Sequence, residues 1–164
     1  IDIWPVNFFL RTGELSDNSW KFILQLACIL QMVPGWKNST NLRLLLSDNF
    51  KNTMLMKTRW EQRLRMLRID CQLEIINWEE NTLGPYEIDF ITTTDWEKED
   101  YFQKINSFIR SYSEHSNLVF LHLPSPPNNR NGYKEYLKYL TLITENLPPT
   151  IMVHGITEVT SDSL

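Results

Sequence analysis

Two histidines, His122 and His154, are the side chains best placed for proton transfer, because the apolar pattern puts each of them inside a predicted strand. Histidine titrates near neutral pH and is a frequent metal ligand, so imidazoles on adjacent strands could shuttle protons or bind a metal. No third ligand stands at a metal-like spacing. The favoured interpretation is a pair of hydrogen-bonded histidines on packed strands, and we expect no metal site. A small α/β enzyme that uses either imidazole is the third-ranked hypothesis.

The sequence contains no known motif for phosphate binding or for a catalytic nucleophile. The sequence has neither a G-x-G-x-x-G nor a G-x-x-x-x-G-K-[ST] run, and only five glycines are available to bring the backbone close to a pyrophosphate. The G-x-S-x-G turn of hydrolases is also missing. We therefore predict no catalytic residue, no cofactor and no enzymatic activity. A free-standing nucleotide-binding α/β domain of the stress-protein type is the second-ranked hypothesis, and it predicts measurable affinity for ATP.

The two cysteines are predicted to be buried thiols. Cys28 lies in an apolar run and Cys71 at the start of a strand, and neither has the electropositive setting of a nucleophile. Two cysteines do not form a disulfide framework, which favours a reducing compartment.

A basic segment allows two interpretations. It has five cations against one acid, Glu61, and the cations are Lys57, Arg59, Arg63, Arg65 and Arg68. They could form a cationic face for anionic lipid headgroups or for an acidic patch on a partner. The alternative, which we favour, is an ordinary solvated helix face.

Composition indicates a globular domain that does not bind nucleic acid. The chain has 164 residues, 42% of them apolar and 22% charged, with a formal net charge of −4. A negative balance argues against sequence-independent binding to nucleic acid. No run reaches the roughly 18 to 20 apolar residues that span a bilayer. The first residues already resemble a strand, so we expect this chain to be part of something longer.

Strand-like and helix-like runs alternate along the chain. Strands are predicted over 1–6, 42–47, 71–78, 118–123 and 150–156, and helices over 19–33, 54–69, 95–112 and 133–147, with a loop over 79–94. This alternation predicts an α/β fold with a doubly wound, mostly parallel five-stranded sheet and helices on both faces. Residues 1–156 are predicted to form a single domain, followed by a polar tail over 157–164. The first helix is apolar enough to be packed on more than one side, with an inward stripe of Phe22, Leu26, Ile29, Leu30 and Val33 that Ile23 and Ala27 widen.

Several segments, taken in order, resemble the cation–chloride cotransporters of solute carrier family 12. They are IDIWP at 1–5, LRLLL at 42–46, RLRMLRI at 63–69, LHLP at 121–124 and LPPTIMVHG at 147–155. Within that family, the sequence is most similar to the cation–chloride cotransporter-interacting protein branch, at Trp4-Pro5, QMVPGW at 31–36 and VHGIT at 153–157. The resemblance is thinnest from about Glu79 to Ser116.

The resemblance implies the C-terminal cytosolic domain of a multi-pass membrane transporter, with the ion sites in membrane helices outside this chain. The domain is then expected on the cytosolic side of a plasma or endolysosomal membrane. Its expected partners are its own transmembrane domain, a second subunit in a homodimer, and other cotransporters. Apolar residues near element ends and two arginines are candidate interface residues: Phe8, Phe9, Trp36, Arg59 and Arg63. The alternative for each aromatic, including Trp78, is that it closes an end of the core.

Overall fold

The computed structural model describes residues 1–9, 19–48, 53–77 and 95–155. Five strands and five helices occur in this part of the chain, together with a 3-10 turn at Arg130–Gly132. The strands are β1 (Asp2–Trp4), β2 (Arg43–Asp48), β3 (Gln72–Asn77), β4 (Val119–His122) and β5 (Thr150–Val153). The helices are α1 (Ser19–Gln31), α2 (Pro34–Lys37), α3 (Thr53–Leu67), α4 (Asp95–Ser113) and α5 (Tyr133–Thr144). The predicted loop over 79–94, Trp78 and the predicted tail lie outside the described residues.

The strands form one parallel sheet in the order β3-β2-β1-β4-β5. Such an order requires crossover helices, and these cover both faces of the sheet. Alternation along β1 sends Ile1 and Ile3 to the cluster under α1 and α3, and Trp4 to the cluster under α4 and α5. The prediction of a doubly wound parallel α/β sheet is therefore confirmed.

Helix α1 differs from its prediction in length and in buried face. Pro34 holds Val33 in an extended conformation, so α1 ends at Gln31 and the unpredicted helix α2 begins at Pro34. The predicted inward stripe is wrong at Ile29 and Val33, which are exposed. The fully buried residues are Ser19, Leu24 and the two predicted flanking positions Ile23 and Ala27. Phe22, Leu26 and Leu30 of the predicted stripe are partly buried against the same cluster.

Helix α3 follows its predicted inward face. Trp60 and Leu64 are buried, and Met56 and Leu67 pack against the same cluster. The helix ends at Arg68, whose φ of 54° is the left-handed conformation of a helix C-terminus. There the Ile69 amide donates to the Leu64 carbonyl at 3.0 Å.

Candidate functional site

The strand order reverses between β1 and β4, and in open α/β sheets ligands usually bind at this point, beyond the carboxyl ends of the strands. Two aromatic residues follow β1 here. Phe8 is buried against Trp4, with ring centroids 6.2 Å apart, and Phe9 packs on Phe102 at 4.6 Å. The Tyr101 hydroxyl donates to the Phe8 carbonyl at 3.0 Å. The side chains described after β1 therefore belong to the core, and Phe8 offers little surface to a partner.

The structure brings the two histidines together at the carboxyl end of the sheet. The ring centroids of His122 and His154 are 6.1 Å apart. The His154 Nδ1 lies 3.0 Å from the Leu123 carbonyl oxygen, and because a carbonyl only accepts, this nitrogen carries the proton. Among the described residues, no group of three or more His, Cys, Asp or Glu is placed to hold a metal ion.

Both thiols are partly buried and free. Burial raises the pKa of Cys71 to about 12, and burial also raises the pKa of Cys28. Each thiol is therefore protonated at neutral pH, which is the opposite of what a nucleophilic cysteine needs.

A charged network that sequence reasoning missed joins β1, β2 and the end of α4. Asp2 and Arg43 are register partners on adjacent strands, and the Arg43 guanidinium donates to both Asp2 carboxylate oxygens at 3.0 and 2.6 Å. It also donates to the Tyr112 carbonyl at 2.5 Å. The signal was a single charge inside each of two apolar strands, at positions that the register pairs.

This network sets the ionisation of Asp2. Burial of the carboxyl opposes the charged form, but hydrogen bonds from Arg43, Ser113 and Ser116 outweigh burial and lower the pKa of Asp2 from its usual 3.8. The buried aspartate therefore stays charged at neutral pH. Its partner Arg43 joins the two strands to the C-terminus of α4, where a cation is favourable.

Arg63 lies over two indole rings at the junction of α1 and α3. Its guanidinium carbon lies 5.0 Å from the Trp60 ring centroid and 5.4 Å from that of Trp20. The two indoles meet edge to face at 4.8 Å. The side chain remains exposed, so the contacts orient a cation at the surface without neutralising it. Lys21 stands over the same Trp20 ring at 5.8 Å.

The other cations of α3 and its end, including the candidate Arg59, are exposed as well. In the described ranges none of these five cations forms an ion pair, and the ion pairs found there involve residues of other elements. Arg65 donates from Nε to the Glu61 backbone carbonyl at 3.3 Å rather than to its carboxylate. The basic face is therefore not neutralised by Glu61.

An apolar patch lies at the end of α1. Ile29, Met32 and Val33 are 54%, 55% and 46% exposed, and we call these three residues the α1 patch. The candidate Trp36, on α2, is partly buried against the cluster under α1 and α3. A side chain built at Gly35 would meet open space.

No helix within the described ranges is both long and apolar enough to cross a membrane.

Comparison with known proteins identifies the family. A family model described as "Solute carrier family 12" matches residues 78–160, just over half of the 164-residue chain. The chain is 32% identical over 173 residues to solute carrier family 12 member 9 of Danio rerio. It is 30% identical over 192 residues to the Homo sapiens protein of that name. Over a shorter stretch of 53 residues, 32% of this chain and 5% of the relative, it is 42% identical to potassium/chloride cotransporter 3 of Caenorhabditis elegans.

The first alignments include all of this chain but little of the relatives. Each covers 100% of the chain, yet only 18% of the Danio rerio protein and 21% of the human protein. The chain therefore spans about a fifth of the length of these curated relatives. The matched residues include the part where the motif resemblance was thinnest. On the family model and the full-chain relatives together, the chain belongs to solute carrier family 12.

Proposed function

We propose that this chain is the cytosolic C-terminal domain of a cation–chloride-cotransporter-like membrane protein, and that it acts in subunit assembly and regulation without chemistry of its own. Family membership supports the proposal, as does the small share of each relative that the chain covers. Among the described residues, aromatic side chains fill the place between β1 and β4 where ligands usually bind, and the thiols are protonated. These features suit a domain that binds partners rather than one that carries out a reaction.

The α1 patch is the observation that carries the assembly role. The sequence predicts a helix packed on more than one side, yet among the residues that the structure describes nothing covers Ile29 of α1, or Met32 and Val33 just after it, which stay about half exposed. Apolar side chains left in water favour association, at roughly 25 cal/mol for each Å² covered. The occupant we propose is a second subunit, so that two copies cover each other's patch. The protein's own membrane part and other cotransporters are the further partners expected.

Cell fractionation tests the membrane part of the proposal. An antibody raised against this chain should detect a protein several-fold heavier than 19.5 kDa. That protein should stay in the membrane pellet after an alkaline carbonate wash, because integral proteins resist it. A band near the mass of the chain, released by the wash, would refute the proposal and return attention to an ATP titration.

A charge placed in the α1 patch tests the assembly part. Met32→Asp in the full-length protein should shift native mass from dimer to monomer, because an unpaired carboxylate opposes burial at an interface. Leu137→Asp is the matched control, since Leu137 is 61% exposed on α5, on the other face of the sheet. An unchanged dimer in the Met32 variant would place the subunit contact elsewhere.

A further inference from the structure

Helix α3 and its C-terminal residue concentrate positive charge on an acidic chain. Residues 53–68 contain five cations and one acid, a balance of +4, whereas the whole chain carries −4. The remainder of the chain therefore carries −8. Such segregation gives one surface a local potential opposite to that of the molecule, and it favours a negatively charged partner there.

The geometry keeps this charge available. All five cations are exposed and lack ion pairs in the described part of the chain. Arg63 is oriented by its two indoles, and Arg68 occupies a left-handed conformation that glycine adopts with less strain. A cation at that position still benefits from the C-terminus of the helix. In the part of the chain that the structure describes, these cations are therefore held at the surface without an ion-pair partner.

Apolar side chains interrupt the same exposed face. Met54 and Met66 are 83% and 76% exposed, and Leu55 is exposed too. Positions 55, 59, 62 and 66 follow at spacings of four, three and four, so Leu55, Arg59 and Met66 share one side of the helix. Cations combined with exposed flexible apolar groups are typical of helices that lie in a membrane interface, where the charges meet headgroups and the apolar groups enter the acyl boundary.

We propose that α3 together with Arg68 is a membrane-docking surface, which binds the headgroups of anionic lipids and inserts Met54 and Met66 into the interface. An acidic protein segment would satisfy the cations but gives no reason for exposed methionines at both ends of the helix. The inference rests on the proposed function in one respect, since a domain attached to membrane helices is held near such a surface.

Vesicle binding tests the proposal on the 164-residue chain. Vesicles of phosphatidylcholine with about 30 mol% phosphatidylserine should bind the chain, whereas pure phosphatidylcholine vesicles should bind it poorly. Raising the salt from about 50 to about 300 mM should weaken the binding, because screening shortens the reach of the charges. Equal binding to both kinds of vesicle, or none to either, would overturn the proposal.

Two sets of substitutions locate the surface. Arg59→Gln, Arg65→Gln and Arg68→Gln together should lower vesicle affinity about 100-fold, at roughly a fivefold loss for each cation. Arg110→Gln, Arg130→Gln and Lys134→Gln remove the same charge from exposed positions around α4 and α5, and should change affinity by no more than about twofold. Arg63 is left in place because it packs on Trp20 and Trp60. Equal losses in both triple variants would mean that net charge, not α3, controls binding.

The methionines are tested separately. Met54→Ser with Met66→Ser should lower vesicle affinity roughly tenfold and leave the salt dependence unchanged, because only apolar insertion is removed. Leu137→Ser, on the opposite face, is the control. Circular dichroism of every variant should match that of the parent chain. Unchanged affinity in the methionine variant would contradict the insertion step.

Competitors distinguish the possible ligands. Inorganic phosphate, at the phosphate concentration of the lipid, should not displace the chain from vesicles. A polyglutamate peptide should bind α3 weakly. Displacement by phosphate, or peptide binding without vesicle binding, would overturn the lipid proposal in favour of a free anion or an acidic protein segment. Cell fractionation of the full-length protein is independent of these results, so a failure here leaves the membrane origin of the domain standing.

Discussion

The two faces of the sheet differ in whether their polar and charged groups have partners among the described residues. Under α4 and α5 the core is aromatic, and its polar atoms find partners inside the chain. The buried Trp4 indole donates to Ser113 at 3.0 Å, and the Asn106 amide donates to the Ile143 and Glu145 carbonyls at 2.9 and 2.8 Å. Surface lysines there pair with acids, as Lys138 does with Glu99.

Under α1 and α3 the core is mostly aliphatic, and the outer surface leaves both charged and apolar side chains without partners in the described ranges. The cations of α3 lack acidic partners in the described ranges, and the α1 patch is open to solvent. On the α4 and α5 face, the polar and charged contacts therefore mainly stabilise the fold. The α1 and α3 face adds two surfaces that the fold does not require, one apolar and one cationic.

The largest expected difference between the faces is in stability. Phe102→Ala removes a fully buried ring that stacks on Tyr139 at 4.7 Å, and it should lower the free energy of unfolding by about 3–5 kcal/mol. Met32→Ala, on the open patch, should change it by less than about 0.5 kcal/mol. Urea unfolding measures both. Comparable losses would show that the α1 patch is covered within the chain.

Removing Arg43 should have the next largest effect. Arg43→Met leaves the buried Asp2 carboxylate without its main partner and should cost about 2–3 kcal/mol in the free energy of unfolding. Adding Asp2→Asn should recover part of that loss, because the unpaired charge is then absent. If the double variant is less stable than Arg43→Met alone, the carboxylate is held by groups other than this arginine.

The pH dependence of stability tests the same network. The pKa of Asp2 is lowered in the folded chain, so the folded state binds this proton less readily than the unfolded state does. Its contribution to stability is present above the usual value of 3.8 and is lost as the pH falls below it. Denaturant midpoints measured from neutral to acidic pH should fall less steeply for Asp2→Asn than for the parent chain. Identical profiles would contradict the lowered pKa.

The smallest effect concerns the junction of α1 and α3. Arg63→Gln removes the cation that lies over the Trp20 and Trp60 rings and should cost about 0.5–1 kcal/mol in the free energy of unfolding. Arg59→Gln, one helical turn away, should cost almost nothing. Urea unfolding of the two variants side by side measures the difference. An equal cost at both positions would mean that the indoles do not hold Arg63.

Most of the elements were predictable because their signals are local. The leucine run at 42–46 and the apolar run at 118–123 indicate strands, and Trp60 and Leu64 lie on the predicted inward face of α3. Helix α2 was missed because a helix of four residues, beginning at Pro34, is too short to show an apolar periodicity. The inward stripe of α1 was wrong at Ile29 and Val33 because apolar residues surround most of that helix, so the pattern alone cannot tell the sheet-facing side from the exposed one.

The candidate surfaces were predictable only in part. The sequence identifies Arg59 and Arg63 as members of a basic run, and it groups Phe8 with Trp36 as aromatics near element ends. Only the folded chain shows that Phe8 is buried, that Trp36 is partly buried, and that Arg63 lies over two indoles.

By itself, the sequence determined the order of strands and helices, the parallel sheet, the basic character of α3 and the family. These follow from periodicity, short-range spacing and motif order, which residues close in the chain encode. Tertiary structure alone decided the pairing of Asp2 with Arg43, which residues of α1 stay exposed, and the lack of ion pairs to the α3 cations in the described ranges. Those outcomes depend on strand register and helix rotation, which bring together residues about 40 positions apart, as at Asp2 and Arg43.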